Sequence, residues 1–327
     1  MNPAATKELR EQISIEGVYA AREIIAPHLN RTPLIRHPLL AEAVGCDIHL
    51  KHENHLPTGA FKIRGGLNLM TNLPEEDRAR GVVTATRGNH GQSIALAATI
   101  NNVRSVICVP HKNNPEKNAA MKAYGAELIE HGNDFDEARE HAESLVKQHG
   151  LRYVDSANDP HLIHGVATYS LEILEDLPDI DIIIVPVGGG SAISGAITVF
   201  RTLKPDVSII GVQAENAPCI FESWRTGNFI TTDSANTIAD GLATRVPFHL
   251  TLDIIRDSVD DIVLVSEKEI REAMTLIART THNLAEGAGA APVAAAQKLG
   301  DQCHDKKVVA ILSGGNIDTS LIPDLFH

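Results

Sequence analysis

One junction constrains the fold more than any other stretch. It reads Val185-Pro186-Val187-Gly188-Gly189-Gly190-Ser191-Ala192-Ile193-Ser194-Gly195. A β-branched run stops at three glycines and a helical pattern begins. Glycines let the backbone approach closely and aim several N–H groups at one spot, and a helix N-terminus adds partial positive charge there. The physical expectation is a phosphate cradle at the end of a strand. No Gly-Lys-Ser/Thr follows, and Ile193 breaks a Gly-x-Gly-x-x-Gly pattern, so a P-loop and a dinucleotide site are both disfavoured. A tight strand-to-helix turn is the plain alternative, but such a turn does not need three glycines.

The same alternation runs along the chain. Strands are expected at residues 48–51, 81–86, 103–109, 126–129, 151–154, 181–187, 207–214, 261–265 and 308–312. Helices are expected at 92–100, 134–148, 161–176, 192–203, 217–226, 267–283 and 288–299. A further helix starts at Asn114-Pro115-Glu116, with Asn as cap and Pro in the first turn, and closes at Gly125. Residues 1–45 read as mostly helical, interrupted by loop or turn at Pro27 and 31–34. Strands alternating with helices imply an α/β fold with parallel pairing and right-handed crossovers. The 327 residues suffice for two domains. The expected division is a small domain, 70–155, inserted into a large one made of 1–69 plus 156–327.

Three more junctions carry chemistry. In Thr58-Gly59-Ala60-Phe61-Lys62-Ile63-Arg64-Gly65 a lysine sits behind an aromatic residue, between a strand and a helical pattern. An apolar pocket there keeps the amine neutral more easily, and neutral amines attack carbonyls. A solvated surface lysine is the alternative reading. Arg87-Gly88-Asn89-His90-Gly91 ends another strand, and its free N–H groups suit a carboxylate, although Asn89 could simply cap a helix. Ser313 in Leu312-Ser313-Gly314-Gly315-Asn316 could offer a hydroxyl to a ring nitrogen or be a turn residue. Ligands of open α/β sheets bind beyond the carboxyl ends of strands, so one shared crevice is expected.

Other classes are disfavoured. The formal charge is −13 without a long basic run, which argues against nucleic acid or anionic membrane as the main partner. Residues 1–17 show no secretory pattern, and no window is apolar for long enough to span a bilayer. Cys46, Cys108, Cys219 and Cys303 lie far apart without a Cys-x-x-Cys pair, which reads as reduced cytoplasmic thiols. His49, His52 and His55 span a strand and a loop, so they are not expected to share a face or a metal.

Cradle, reactive lysine and ring-facing hydroxyl together suggest pyridoxal phosphate. The motifs around Lys62, Gly88-Asn89-His90-Gly91-Gln92, residues 188–195, Thr237-Ile238-Ala239-Asp240-Gly241 and Ser313-Gly314-Gly315-Asn316 occur in the order seen in fold type II pyridoxal-phosphate enzymes. The chain resembles their serine/threonine dehydratase (ammonia-lyase) and serine racemase branch over residues 15–318. The resemblance implies two open parallel-sheet domains like those of the tryptophan synthase β subunit. It implies that Lys62 carries the cofactor as a Schiff base, with Phe61 beside it and Asn89 on the ring hydroxyl. Gly188, Gly189, Gly190, Ser191 and Ala192 would hold the phosphate, and Ser313 would face the ring nitrogen. Thr86, Arg87, Gly88, Asn89 and His90 would receive the substrate carboxylate, with Glu286 lining the pocket. A homodimer is a further implication.

The implied reaction is loss of water from a β-hydroxy amino acid of the threonine or serine kind, giving a 2-keto acid and ammonia. Lys62 would act as the base, and a neutral Ser313 would favour prompt loss of the β-hydroxyl. Arg87 departs from the pattern, because relatives have a small residue or a serine there. Either it reads a second carboxylate, as in 3-hydroxyaspartate, or it turns away to pair with a neighbouring acid. A racemase is the rival reading, although Arg87 is a poor proton donor across the ring. A non-catalytic pyridoxal-phosphate carrier and a plain nucleotide-binding protein are further rivals. Relatives that hold a divalent ion use acidic groups where this chain has Gln213, Ala217 and Cys219, so no such ion is expected, while a carbonyl-held monovalent cation remains open. Only eleven residues follow Asn316, so a C-terminal regulatory domain is not expected.

Overall fold

A computed structural model describes residues 3–325. Among the described residues ten strands form two sheets: β1 (Leu34–Arg36), β2 (Asp47–His52), β3 (Val82–Ala85), β4 (Ser105–Val109), β5 (Glu127–Glu130), β6 (Arg152–Tyr153), β7 (Ile182–Pro186), β8 (Ser208–Ala214), β9 (Asp261–Val265) and β10 (Lys307–Leu312). The larger sheet has the order β1-β2-β10-β7-β8-β9 and the smaller β5-β4-β3-β6. The β7 residues Ile182–Pro186 are all buried, as expected of a parallel strand covered by helices on both faces.

All pairings are parallel except that of β1, which runs antiparallel to β2 with Leu34 opposite Lys51. This corrects the expectation of uniform parallel pairing; of the loop expected at 31–34, residues 31–33 are loop and only Leu34 joins the strand. Three residues behind Pro33 are too short to show a two-residue alternation. The helix His249–Ser258 also went unassigned, although Leu250, Ile254 and Ile255 have helical spacing and are buried. The cap at Asn114 is as expected, with Oδ1 accepting from the Glu116 and Lys117 N–H groups at 2.8 and 3.0 Å. No helix of the described residues is long and apolar enough to cross a membrane.

A buried charge cluster fixes the segment before the site. The Arg64 guanidinium donates to both Glu53 oxygens at 2.7 and 2.9 Å, and to both Glu172 oxygens at 2.7 and 2.9 Å. Lys51 donates to Glu172 at 2.6 Å and to the Thr32 carbonyl at 2.8 Å. Two cations meet two anions with their donors and acceptors matched, which offsets the desolvation of each. The cluster ties β2 to the helices Lys62–Thr71 and Pro160–Asp176, so the start of the first helix, where Lys62 sits, is held from beneath.

Candidate active site

A cavity of about 440 Å³ opens at the carboxyl ends of the strands, between the two sheets. Every residue singled out from the sequence lines it: Phe61, Lys62, Thr86, Arg87, Gly88, Asn89, His90, Gly188, Gly189, Gly190, Ser191, Ala192, Glu286 and Ser313. They arrive from loops after β2, β3, β7 and β10 and from the start of the helix Gly287–Leu299.

The Lys62 amine donates to the Ser191 hydroxyl at 2.9 Å and to the Ser156 carbonyl at 3.1 Å. Burial pushes its pKa down to about 8, opposed in part by Asp155. It is not the solvated lysine of the alternative reading. No acceptor among the described residues takes the N–H groups of Gly188, Gly189 or Gly190. With the first turn of the helix Ser191–Leu203 they form a cluster of donors suited to an anion. The glycines are also needed for packing. A Cβ on Gly188 would overlap the Gly241 carbonyl, and Gly190 has φ +90° with Thr251 against it. The turn explanation therefore accounts for some of the glycine, and the unpartnered amides for what it leaves over.

Around the second junction the roles are redistributed. Thr86, not Asn89, caps the helix Asn89–Ile100: its Oγ1 accepts from Gly88 and Gly91 at 3.0 and 3.3 Å. Asn89 is freed for the cavity, donating to Glu286 Oε1 at 2.6 Å and accepting from Asn316 at 2.8 Å. Burial raises the Glu286 pKa while Lys117 opposes the shift. The His90 imidazole turns inward to the Thr84 hydroxyl at 3.1 Å. Burial, and then the charge of Lys62, push its pKa to about 3, so it stays neutral. Ser313 is buried at the end of β10.

Arg87 meets both of its alternatives in part. Its side chain is 51% exposed and lines the cavity, with Nη2 3.8 Å from Asp240. Lys117 holds the same carboxylate more closely, at 2.7 Å.

Asp240, Lys117, Arg245 and Asp136 also line the cavity, and none was singled out as a site residue. The pairs Lys117–Asp240 and Arg245–Asp136 each join a residue beside the small sheet to one beside the large. The motif Thr237–Gly241 marked the place of Asp240; the other three are ordinary helix or loop charges with no local signal. Two histidines do come together, against expectation. The rings of His52 and His55 stack at 4.9 Å, and His37 meets His52 at 3.0 Å between Nε2 atoms. The 3₁₀ turn Glu53–His55 brings the loop back over the strand end. At the positions compared with a divalent site, Gln213 accepts from Phe221 N–H at 2.8 Å and Cys219 donates to the Thr244 carbonyl at 3.0 Å.

The profile of the family described as "Pyridoxal-phosphate dependent enzyme" matches residues 25–314. The chain belongs to the pyridoxal-phosphate-dependent enzymes. Its α/β architecture with two sheets is that of fold type II, and pyridoxal phosphate is its cofactor. An L-threonine ammonia-lyase of Thermotoga maritima is 41% identical over 96% of this chain and 78% of its own. A catabolic L-threonine dehydratase of Escherichia coli strain K12 is 36% identical over 96% of both. Among solved structures, maize serine racemase aligns with a TM-score of 0.91 at 32% identity, covering 96% of each chain. The resemblance to the dehydratase and racemase branch is thus borne out.

Proposed function

We propose that the chain is a threonine ammonia-lyase, a carbon–oxygen lyase that converts a β-hydroxy amino acid of the threonine or serine kind into a 2-keto acid and ammonia. The observation that carries this reading is the Lys62 amine, held beside Ser191 and lowered in pKa at the floor of the cavity. When bound, pyridoxal phosphate supplies an electron sink for the negative charge left by loss of the α-proton. The amides of residues 188–192 would hold its anionic tail and Asn89 its ring hydroxyl, with Phe61 alongside. Lys62 removes the α-proton. Thr86, Gly88, Asn89 and the backbone of His90 orient the substrate carboxylate. Ser313 brings no negative charge to the ring end of the cavity, which favours prompt expulsion of the β-hydroxyl over return of the proton. Glu286, bonded to Asn89, keeps that amide in place. In this reading the four-stranded unit, residues 70–155, is the substrate domain, and 1–69 plus 156–327 hold the cofactor. A homodimer in the cytoplasm completes it, with sedimentation as the check on oligomeric state.

Keto-acid release from L-threonine and L-serine by the holoenzyme tests the reaction. Lys62→Ala should lose at least about 10³-fold in turnover with its circular dichroism unchanged. Keto acid from neither substrate, or undiminished turnover in the variant, would overturn the reading. Chiral analysis of the remaining serine separates a racemase from a lyase.

A second substrate reading rests on Arg87, which stands half exposed at the cavity while Asp240 is held more closely by Lys117. A guanidinium placed so suits the second carboxylate of 3-hydroxyaspartate. Arg87→Ala should then cost roughly 10²-fold in kcat/KM on hydroxyaspartate and little on threonine. Equal losses on both would remove the idea.

A further inference from the structure

The Lys117 ammonium has more donors than the fold uses. Lys117 lies in the first turn of the helix Pro115–Ala123, where the Asn114 cap accepts its backbone N–H at 3.0 Å. A helix N-terminus is the unfavourable end for a positive charge, so the position gains nothing from the helix itself. The side chain is only 8% exposed, yet it lines the cavity. Its Nζ makes one hydrogen bond among the described residues, to Asp240 Oδ2 at 2.7 Å. An ammonium carries three N–H groups, so two are left without an acceptor, which is costly for a buried charge unless a ligand takes them. The lysine stem runs along the loop after β3. The place that a Gly88 Cβ would occupy is 2.9 Å from Lys117 Cδ and 3.7 Å from Nζ. Gly88 itself donates to Thr86, while the N–H groups of Asn89 and His90 have no acceptor among the described residues. The spare ammonium hydrogens thus stand beside a loop whose next two amides are also spare.

We propose that Lys117 is a substrate-binding residue, whose ammonium pairs with the α-carboxylate of the amino acid beside the amides of Asn89 and His90, while Asp240 keeps one N–H and so orients the other two. The inference rests on the amino-acid substrate proposed above, and it adds a full charge to a contact otherwise made by backbone and neutral side chains. Amides at a helix N-terminus bind anions in general. A hydrogen bond from a cation to an anion is shorter and about twice as strong as one between neutral groups, so the ammonium selects a ligand with a carboxylate over a neutral isostere. Asp240 approaches from beside the large sheet and Lys117 from beside the small one, so the charge is held at the boundary that the substrate must enter. Lys117 reads the group common to all amino acids, which leaves Arg87 free for the substrate side chain.

The test uses the full-length holoenzyme and two ligands, L-alanine and L-alaninol, with binding read from the absorbance of the cofactor. The first carries the carboxylate and the second a neutral hydroxymethyl group in its place. Neither has a β-leaving group, so the result stands apart from keto-acid release, which tests the reaction. Lys117→Met should weaken L-alanine binding by about 10- to 100-fold and L-alaninol binding by less than about twofold. Removing the ammonium also strands Asp240, whose repulsion of a carboxylate acts in the same direction. The double variant Lys117→Met/Asp240→Asn lacks that repulsion and should bind L-alanine as weakly as the single one. Recovery in the double variant would overturn the proposal, because the loss would then belong to Asp240. Equal losses on both ligands would overturn it too, since Lys117 would then be a strut between the sheets. So would an unchanged affinity for L-alanine.

Discussion

The Lys62 amine lies 2.9 Å from the hydroxyl of Ser191, the first residue of the helix after the triple glycine. The reactive nitrogen and the proposed anion cradle are thus joined by one hydrogen bond, across two segments that the chain separates by more than a hundred residues. The contact is suited to an amine that must release its proton when the cradle fills.

The lowered Lys62 pKa sets a pH dependence. An ordinary lysine titrates near 10.5, and burial brings this one to about 8. The neutral, reactive fraction at pH 7 is then about one in ten rather than about one in three thousand. The rate at which cofactor-free enzyme takes up pyridoxal phosphate, followed by visible absorbance, should rise with pH and level off above about 8. A rate still climbing beyond pH 9.5 would place Lys62 in an ordinary aqueous setting.

Gly188 tolerates no side chain, since a Cβ there would run into the Gly241 carbonyl. Gly189 is less constrained, with its nearest neighbours Phe248 and Ala157 at 3.1 and 3.2 Å. Gly188→Ala should weaken pyridoxal phosphate binding by roughly 10²-fold or more, and Gly189→Ala by several-fold less, because only the first displaces backbone. Fluorescence titration of cofactor-free protein measures both. Equal affinities would show that the loop yields freely at Gly188.

Three buried histidines make the fold acid-sensitive. Burial lowers His52 and His164 to about 4 and His90 to about 3. In the unfolded chain each titrates near 6.5, so below that pH the unfolded state binds more protons than the folded one. Their contribution is complete above about pH 6.5, falls away as the pH drops, and is exhausted near pH 3. At pH 5 unfolding should take up about three protons from these groups. His164 accepts from the Ser14 N–H at 3.2 Å through Nε2, a bond that protonation removes. The thermal midpoint measured from pH 7.5 to 4.5 should fall, and His164→Gln should lessen the slope by about one proton. An unchanged slope would mean that His164 is protonated without cost.

The site was legible in the sequence because its parts sit on glycine-punctuated strand ends, where conformation and chemistry leave local marks. Gly188-Gly189-Gly190 and Phe61-Lys62 needed no distant partner to be noticed. Asp240, Lys117, Arg245 and Asp136 act as pairs between distant segments, and a charge whose partner lies a hundred residues away looks like any solvated charge. The antiparallel β1 escaped notice because three residues cannot display a period. Arg64, Glu53, Glu172 and Lys51 resemble surface residues by type, and only the fold reveals that they are interior.

That interior quartet has a bearing on how this chain can diverge. Its two positive and two negative groups share a common set of hydrogens and lone pairs, so a change in any one of them strands the others. Variation at positions 51, 53, 64 and 172 should therefore occur in concert, with the four identities travelling as one inherited character. A designer wishing to recast the region would have to replace the whole set in a single step.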